Sequence, residues 1–341
     1  MSNFEPIIHP WNQEVWQNLT SESERANHAL LFCGDDGLGK RDLAFSLAFS
    51  VLTTEHSQSV NLFNAGSHPD CHVIMPECEI EEGIVGDFAR RYIEPHSGKP
   101  KKTITIDQVR KLSQTLTTHP HIGSHRVILI FFAETMNRNA ANALLKSLEE
   151  PPANTLFLIV SDDVSKIAKT IRSRCSVVNV KAPDFDVAKA WVNEQGVVTQ
   201  DQIDTHLAMA NNHPLKAQRL YQENYLTSLK AIFTDVNGLW TQRAEVTKVA
   251  KQWQELSSAT VIDILQKMMT DLLRCQLSDK PVTVFFPVQL SWLQTTSAKL
   301  SRERLLDVID ALNYAKQMLA TTVDELLVLE TVSNKVKGLP L

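Results

Sequence analysis

Apolar residues follow two rhythms along this chain, and the rhythm changes once. Up to about residue 183, short apolar runs of strand length alternate with segments whose apolar residues recur every three or four positions. That alternation is the mark of a parallel sheet covered by helices. "HALLFCG" (28–34) reads as a strand, and "KRDLAFSLAFSVL" (40–52) as the helix after it. "HPDCHVIMP" (68–76) reads as a second strand. "ITIDQVRKLSQTL" (104–116) reads as a helix that Asp107 can cap, with Val109, Leu112 and Leu116 on one face. "RVILIFFA" (126–133) is apolar from Val127 to Ala133, as expected of a strand buried on both faces. "NRNAANALLKSLEEPP" (137–152) is a helix stopped by Pro151 and Pro152. "TLFLIVS" (155–161) is the next strand, "VSKIAKTIRSR" (164–174) a helix and "CSVVNV" (175–180) a last strand.

From about Asp184 the pattern is almost wholly helical, with loops at "NEQGVVTQ" and "NNHP". A longer helical block runs from about Tyr225 to the end, with apolar residues at the spacing of packed amphipathic helices. The expected organisation is an α/β domain over 1–180, a small helical domain over 181–224 and a larger all-helical domain over 225–341.

Composition narrows the function. With 341 residues, 43% hydrophobic and 21% charged, the chain is long enough for several domains and has the make-up of a folded protein. Its net charge of -5 argues against non-specific nucleic-acid binding by the chain alone, although a local basic patch or a basic partner could bring it to DNA. No apolar run reaches the length of a membrane span, and the N-terminus shows no secretory pattern. Cys33, Cys71, Cys78, Cys175 and Cys275 form no C-x-x-C pair. The expectation is a reduced, cytoplasmic protein with no membrane partner.

"LLFCGDDGLGKRDLA" (30–44) nearly spells a nucleotide-binding loop. The pattern that cradles phosphate is G-x-x-x-x-G-K followed by Ser or Thr. Gly34, Gly39 and Lys40 fit it, and the strand–turn–helix context is the one the motif needs. The hydroxyl that would bind Mg²⁺ is replaced by Arg41, which has no lone pair to offer. Asp35 and Asp36 add negative charge where phosphate would be welcomed. A second metal ligand belongs at the end of the next buried strand. Phe132 stands there, and Glu134 comes two residues later. The expectation is a degenerate phosphate loop in which Gly34, Gly37 and Gly39 serve as a tight turn. Nucleotide binding without turnover stays open.

"NAANALLKSLEEPPANTLFLIVSD" followed by "TIRSRC", together with "HPD" and "ITIDQVRKL", closely resembles the bacterial clamp-loader branch of the AAA+ ATPases over about Leu30 to Val180. The resemblance implies a P-loop-type parallel sheet, a helical lid and an all-α oligomerising collar. In that family an intact loop marks the gamma/tau motors. A damaged loop combined with S-R-C (Ser173, Arg174, Cys175) marks a non-hydrolysing stator that serves DNA polymerase III. Arg174 would then act as an arginine finger on the ATP site of an adjacent gamma/tau subunit. Arginine suits that role because its charge is permanent and its fork matches phosphate oxygens. The implied partners are gamma/tau, the delta subunit, the sliding clamp (beta) indirectly, and primed DNA through the complex. Family members commonly hold zinc through four cysteines before "HPD"; this chain has none in "TTEHSQSVNLFNAGS", so no zinc is expected. Ser161, at the position that senses the γ-phosphate in the motors, is expected to be a plain strand-end residue. Two rival readings are an active ATPase that recruits Glu134 as an unusual metal ligand, and an AAA+-like scaffold outside replication.

Other features read more plainly. Ser173 and Cys175 shape a turn, and Arg172 is a weaker finger candidate. His119, His121 and His125 lie in a loop without a carboxylate partner. Arg90, Arg91, Lys99, Lys101 and Lys102 read as a solvated loop, and Glu149 and Glu150 as a helix terminus.

Overall fold

The computed structural model describes all residues except 1–3, 22–26, 55–56, 118, 278–283, 320, 322 and 340–341. The chain divides into two compact units, residues 1–183 and 184–341.

The first unit contains α1 (Gln13–Thr20), β1 (Ala29–Cys33), α2 (Lys40–Thr53), α3 (Ser57–Asn64), β2 (Cys71–Ile74), α4 (Ile84–Arg90), α5 (Ile106–Thr115), β3 (Arg126–Ile130), α6 (Arg138–Glu149), β4 (Thr155–Ser161), α7 (Lys169–Arg172) and β5 (Ser176–Asn179). The strands form one five-stranded sheet in the order β2-β3-β4-β1-β5. Every paired neighbour is parallel. β1 lies between β4 and β5, with Cys33 opposite Ser161 on one side and Asn179 on the other. Successive side chains point to opposite faces, so Leu30 and Phe32 join the core on the α2 side while Leu31 and Cys33 join the core lined by α5 and α6. All five β1 residues are buried, which is why the strand is a continuous apolar run. Leu30, Leu31 and Phe32 each contribute roughly 1.5–3 kcal/mol by leaving water.

Two local expectations are corrected. Asp107 does not cap α5; it sits inside the first turn. Thr105, with the extended backbone of a cap, accepts from the Gln108 amide while the Gln108 side chain accepts from the Thr105 amide at 2.9 Å. The helix expected over 164–174 is broken. Asp163 Oδ1 takes the Ser165 amide at 3.0 Å, a 3₁₀ turn covers Val164–Lys166, and Ala168 is extended before the short α7 begins. In the interval searched for zinc-binding cysteines, residues 55–56 lie outside the described residues, and Ser57–Asn64 is helix.

The second unit is all helix: α8 (Phe185–Gln195), α9 (Ile203–Met209), α10 (Pro214–Gln222), α11 (Tyr225–Trp240), α12 (Val246–Glu255), α13 (Ser258–Leu277), α14 (Leu290–Ser297), α15 (Arg302–Leu319) and α16 (Glu325–Lys337). One apolar core runs from Ala188 to Leu339, so the segments 184–224 and 225–339 share it. Two of its acidic groups are paired. Asp271, fully buried, accepts from the amides of Phe285 and Phe286 at 3.0 and 3.1 Å. Tyr225 and Lys267 both donate to Asp263 at 2.7 Å.

In β2, the edge strand of the sheet, His72 is buried with its Nδ1 against the Tyr92 hydroxyl. Burial first, then the Arg126 and Arg91 charges, push its pKa down from 6.5 to about 3. The folded state therefore refuses a proton that the unfolded chain accepts. Stability from this residue is complete above pH 6.5 and drains as pH falls toward 3. The unfolding free energy from urea titrations should drop over that window, by up to about 1.4 kcal/mol per pH unit from His72. His72→Gln should flatten the drop; an unchanged pH profile would contradict this assignment.

Candidate phosphate-loop site and the Arg174 edge

The turn after β1 is built as a phosphate loop is built. Gly34 and Gly39 have φ of 150° and 75°, and Gly39 is the residue before α2. A Cβ on Gly34 would sit 2.3 Å from the Val180 carbonyl oxygen, and one on Gly39 would sit 2.3 Å from the His9 ring. Both positions require glycine.

Lys40 opens α2 with its side chain only 3% exposed. Its ammonium lies 2.5 Å from Asp162 Oδ1 and donates to the Asp35 carbonyl at 2.5 Å. Asp162 directly follows β4, and its own amide donates to Glu134 Oε2 at 3.3 Å. Glu134 therefore belongs to the sheet end, and burial raises its pKa, the wrong direction for a metal ligand. Ser161, buried, accepts from the Asp163 amide at 3.2 Å.

The two positions that would hold Mg²⁺ are bonded to each other instead. The Arg41 guanidinium lies over the Phe132 ring, 4.6 Å from its centroid. Phe132 leaves its strand in the left-handed conformation, φ 55°. A cation and an aromatic ring offer a metal no lone pair. The residues present do not fit a magnesium nucleotide.

The N-terminal segment straps the loop from outside. His9 pairs with Asp42 at 3.0 Å, while Trp11 Nε1 and Asn12 Nδ2 both donate to the Leu38 carbonyl, at 3.0 and 2.9 Å. His9 and Trp11 stack with rings 4.8 Å apart. Neither this strap nor Asp162 was read from the sequence. The signal for Asp162 was the "SDD" at the end of β4, the strand that lies beside β1 in this sheet order.

Arg174 lies between α7 and β5. Its Nη2 contacts Glu149 Oε1 at 2.6 Å, and its Nη1 donates to the Thr170 carbonyl at 2.8 Å and to Ser173 Oγ at 3.3 Å. One third of its side chain is exposed. Ser173 Oγ also donates to the Thr170 carbonyl. Burial pushes the Cys175 thiol up to about 11, so at neutral pH it is an unreactive neutral group. Arg172 is exposed. Glu149 is the last residue of α6, as expected of a helix terminus; its grip on Arg174 was not foreseen.

The remaining candidates are structural. Asp70, fully buried, accepts from the amides of His121 and Ile122 at 2.7 to 2.9 Å, which ties down the histidine loop. Among the described residues no group of three or more His, Cys, Asp or Glu is placed to hold a metal ion. Of the basic cluster, Arg91 is not solvated as expected. It donates to the carbonyls of Gly66, His68 and Cys71, and Arg90 pairs with Asp87. No helix among the described residues is long and apolar enough to cross a membrane.

Sheet order, loop and following helix define a P-loop-type α/β domain, here joined to an all-helical unit. The family model described as "DNA polymerase III, delta subunit" matches residues 11–184. Relatives called DNA polymerase III subunit delta' are 30% identical in Pseudomonas aeruginosa and 31% in Haemophilus influenzae. The first match spans 80% of this chain and 79% of that protein, the second 65% and 64%. A DNA polymerase III subunit tau of Salmonella typhimurium is 33% identical over 48% of this chain and 23% of its own length. The chain belongs to the delta' family of DNA polymerase III subunits.

Gly34→Ala should cost the first unit roughly 1–3 kcal/mol, because the added Cβ meets a backbone oxygen that cannot step aside. Chemical denaturation checks this; a midpoint equal to wild type would show that the close approach to Val180 is not a constraint.

Proposed function

We propose that this chain is the non-hydrolysing stator of a bacterial clamp loader. In this reading it joins gamma/tau and delta subunits in the cytoplasm and helps place the sliding clamp on primed DNA during replication. It does not turn over ATP itself and carries no zinc. Residues 181–224 serve as the lid and 225–341 as the collar through which the subunits assemble.

One observation carries the reading: a damaged loop and an ordered arginine occur in the same unit. The loop has exchanged its metal ligands for the Arg41–Phe132 contact and has its lysine engaged internally. Phosphoryl transfer depends on a metal and on positioning, and Arg41 and Phe132 stand where the metal ligands are expected. Arg174 is held at the junction of α7 and β5 by the backbone of Thr170 and by Glu149, with its side chain partly open to solvent. That suits a residue acting on a neighbour's phosphate. Arginine fingers supplied in trans elsewhere contribute on the order of 10³–10⁵ in rate.

The test is steady-state ATP hydrolysis by a complex reconstituted from gamma/tau, delta and this chain, with clamp and primed DNA. Arg174→Ala should lose a large part of the complex's rate while leaving assembly intact by gel filtration, and this chain alone should be silent. An unchanged rate, or turnover by the chain alone, would overturn the proposal.

A further inference from the structure

We propose that Asp162 is the resident anion of the phosphate loop. Its carboxylate takes the place on Lys40 that a phosphate group would need, so the chain itself closes the loop to nucleotide. This deepens the non-hydrolysing half of the reading above and does not depend on Arg174.

The geometry is that of a ligand and its site. Lys40 heads a fourteen-residue helix, at the end where backbone amides favour an anion. Its ammonium is almost wholly out of water, and a buried cation needs a partner. Asp162 Oδ1 supplies the charge and the Asp35 carbonyl supplies a second acceptor, both at 2.5 Å. The loop is therefore satisfied with no phosphate present.

Asp162 is placed there by the sheet. Cys33 and Ser161 are paired at the ends of β1 and β4, so the residues after them leave the sheet side by side. On its other side the Asp162 backbone is held by Glu134, from the turn after β3. A phosphate arriving at Lys40 would meet a carboxylate already in position, and like charges at that range repel. Asp162 is the more accessible partner, with 30% of its side chain exposed. A neutral residue there would leave Lys40 as a cation without its counter-charge at a helix N-terminus, which is a phosphate site.

Lys40 and Asp162 thus explain what the lost metal ligands do not. Removing Mg²⁺ ligands abolishes turnover but leaves a lysine that can still hold phosphate. An internal carboxylate removes the holding as well.

The experiment uses the full chain, titrated with inorganic pyrophosphate and separately with ATP by calorimetry, beside a thermal melt of each variant. Wild type should show no saturable binding into the millimolar range. Asp162→Asn should bind pyrophosphate at least about tenfold more tightly than wild type. Combining it with Lys40→Met should abolish that gain. Equal binding by wild type and Asp162→Asn overturns the inference, as does a folded Asp162→Asn that stays silent or binding that survives loss of Lys40. Should Asp162→Asn fail to fold, Asp162→Ser takes its place, and tight pyrophosphate binding by wild type would sink the inference unaided. ATP turnover by wild type would instead sink the non-hydrolysing reading, so the two can fail separately.

Discussion

A buried ammonium must have an anion, and much of the first unit is arranged around that requirement at Lys40. Taking an ion of this size out of water costs several kcal/mol, which only a close counter-charge and further hydrogen bonds offset. Asp162 and the Asp35 carbonyl provide them, and β4 has to end beside β1 for Asp162 to reach. The strap of His9, Trp11 and Asn12 then closes the loop from the other side. The turn keeps the shape of a phosphate loop, with a carboxylate of the chain on its lysine.

The same substitution of protein for ligand occurs at the metal positions. Arg41 and Phe132 are separated in the sequence, and each read alone is a lost ligand. In the fold they meet, so the two departures form one contact that fills the space between α2 and the end of β3. Two positions that depart from a motif can still be well packed, and packing then constrains both residues.

The sheet was legible because its strands are buried on both faces. Runs such as Val127–Ala133 have one reading when helical patterns flank them on each side. The loop was legible for a similar reason: three glycines and a lysine in a fixed local order leave few alternatives. The broken helix before Arg174 was not, since Asp163 and Ala168 act through single hydrogen bonds and dihedral choices that leave no periodic trace. Long-range partners were also hidden. The partners of Asp70 under the histidine loop, of Arg91 on three carbonyls and of Asp162 on Lys40 appear only once the chain closes on itself. Arg174 was found through its motif, whereas Glu149 beside it reads from the sequence only as the end of a helix.

The Glu149–Arg174 pair makes recruitment of that arginine a competition. An outside anion that takes Nη2 of the guanidinium has to displace a carboxylate already in contact with it. A half-exposed ion pair of this kind holds on by no more than about 1 kcal/mol. That is enough to outbid weak, singly charged or distant acceptors, and too little to resist a multiply charged one at close range. The pair therefore sets a threshold at Nη2, which a competing anion passes only by outweighing one carboxylate.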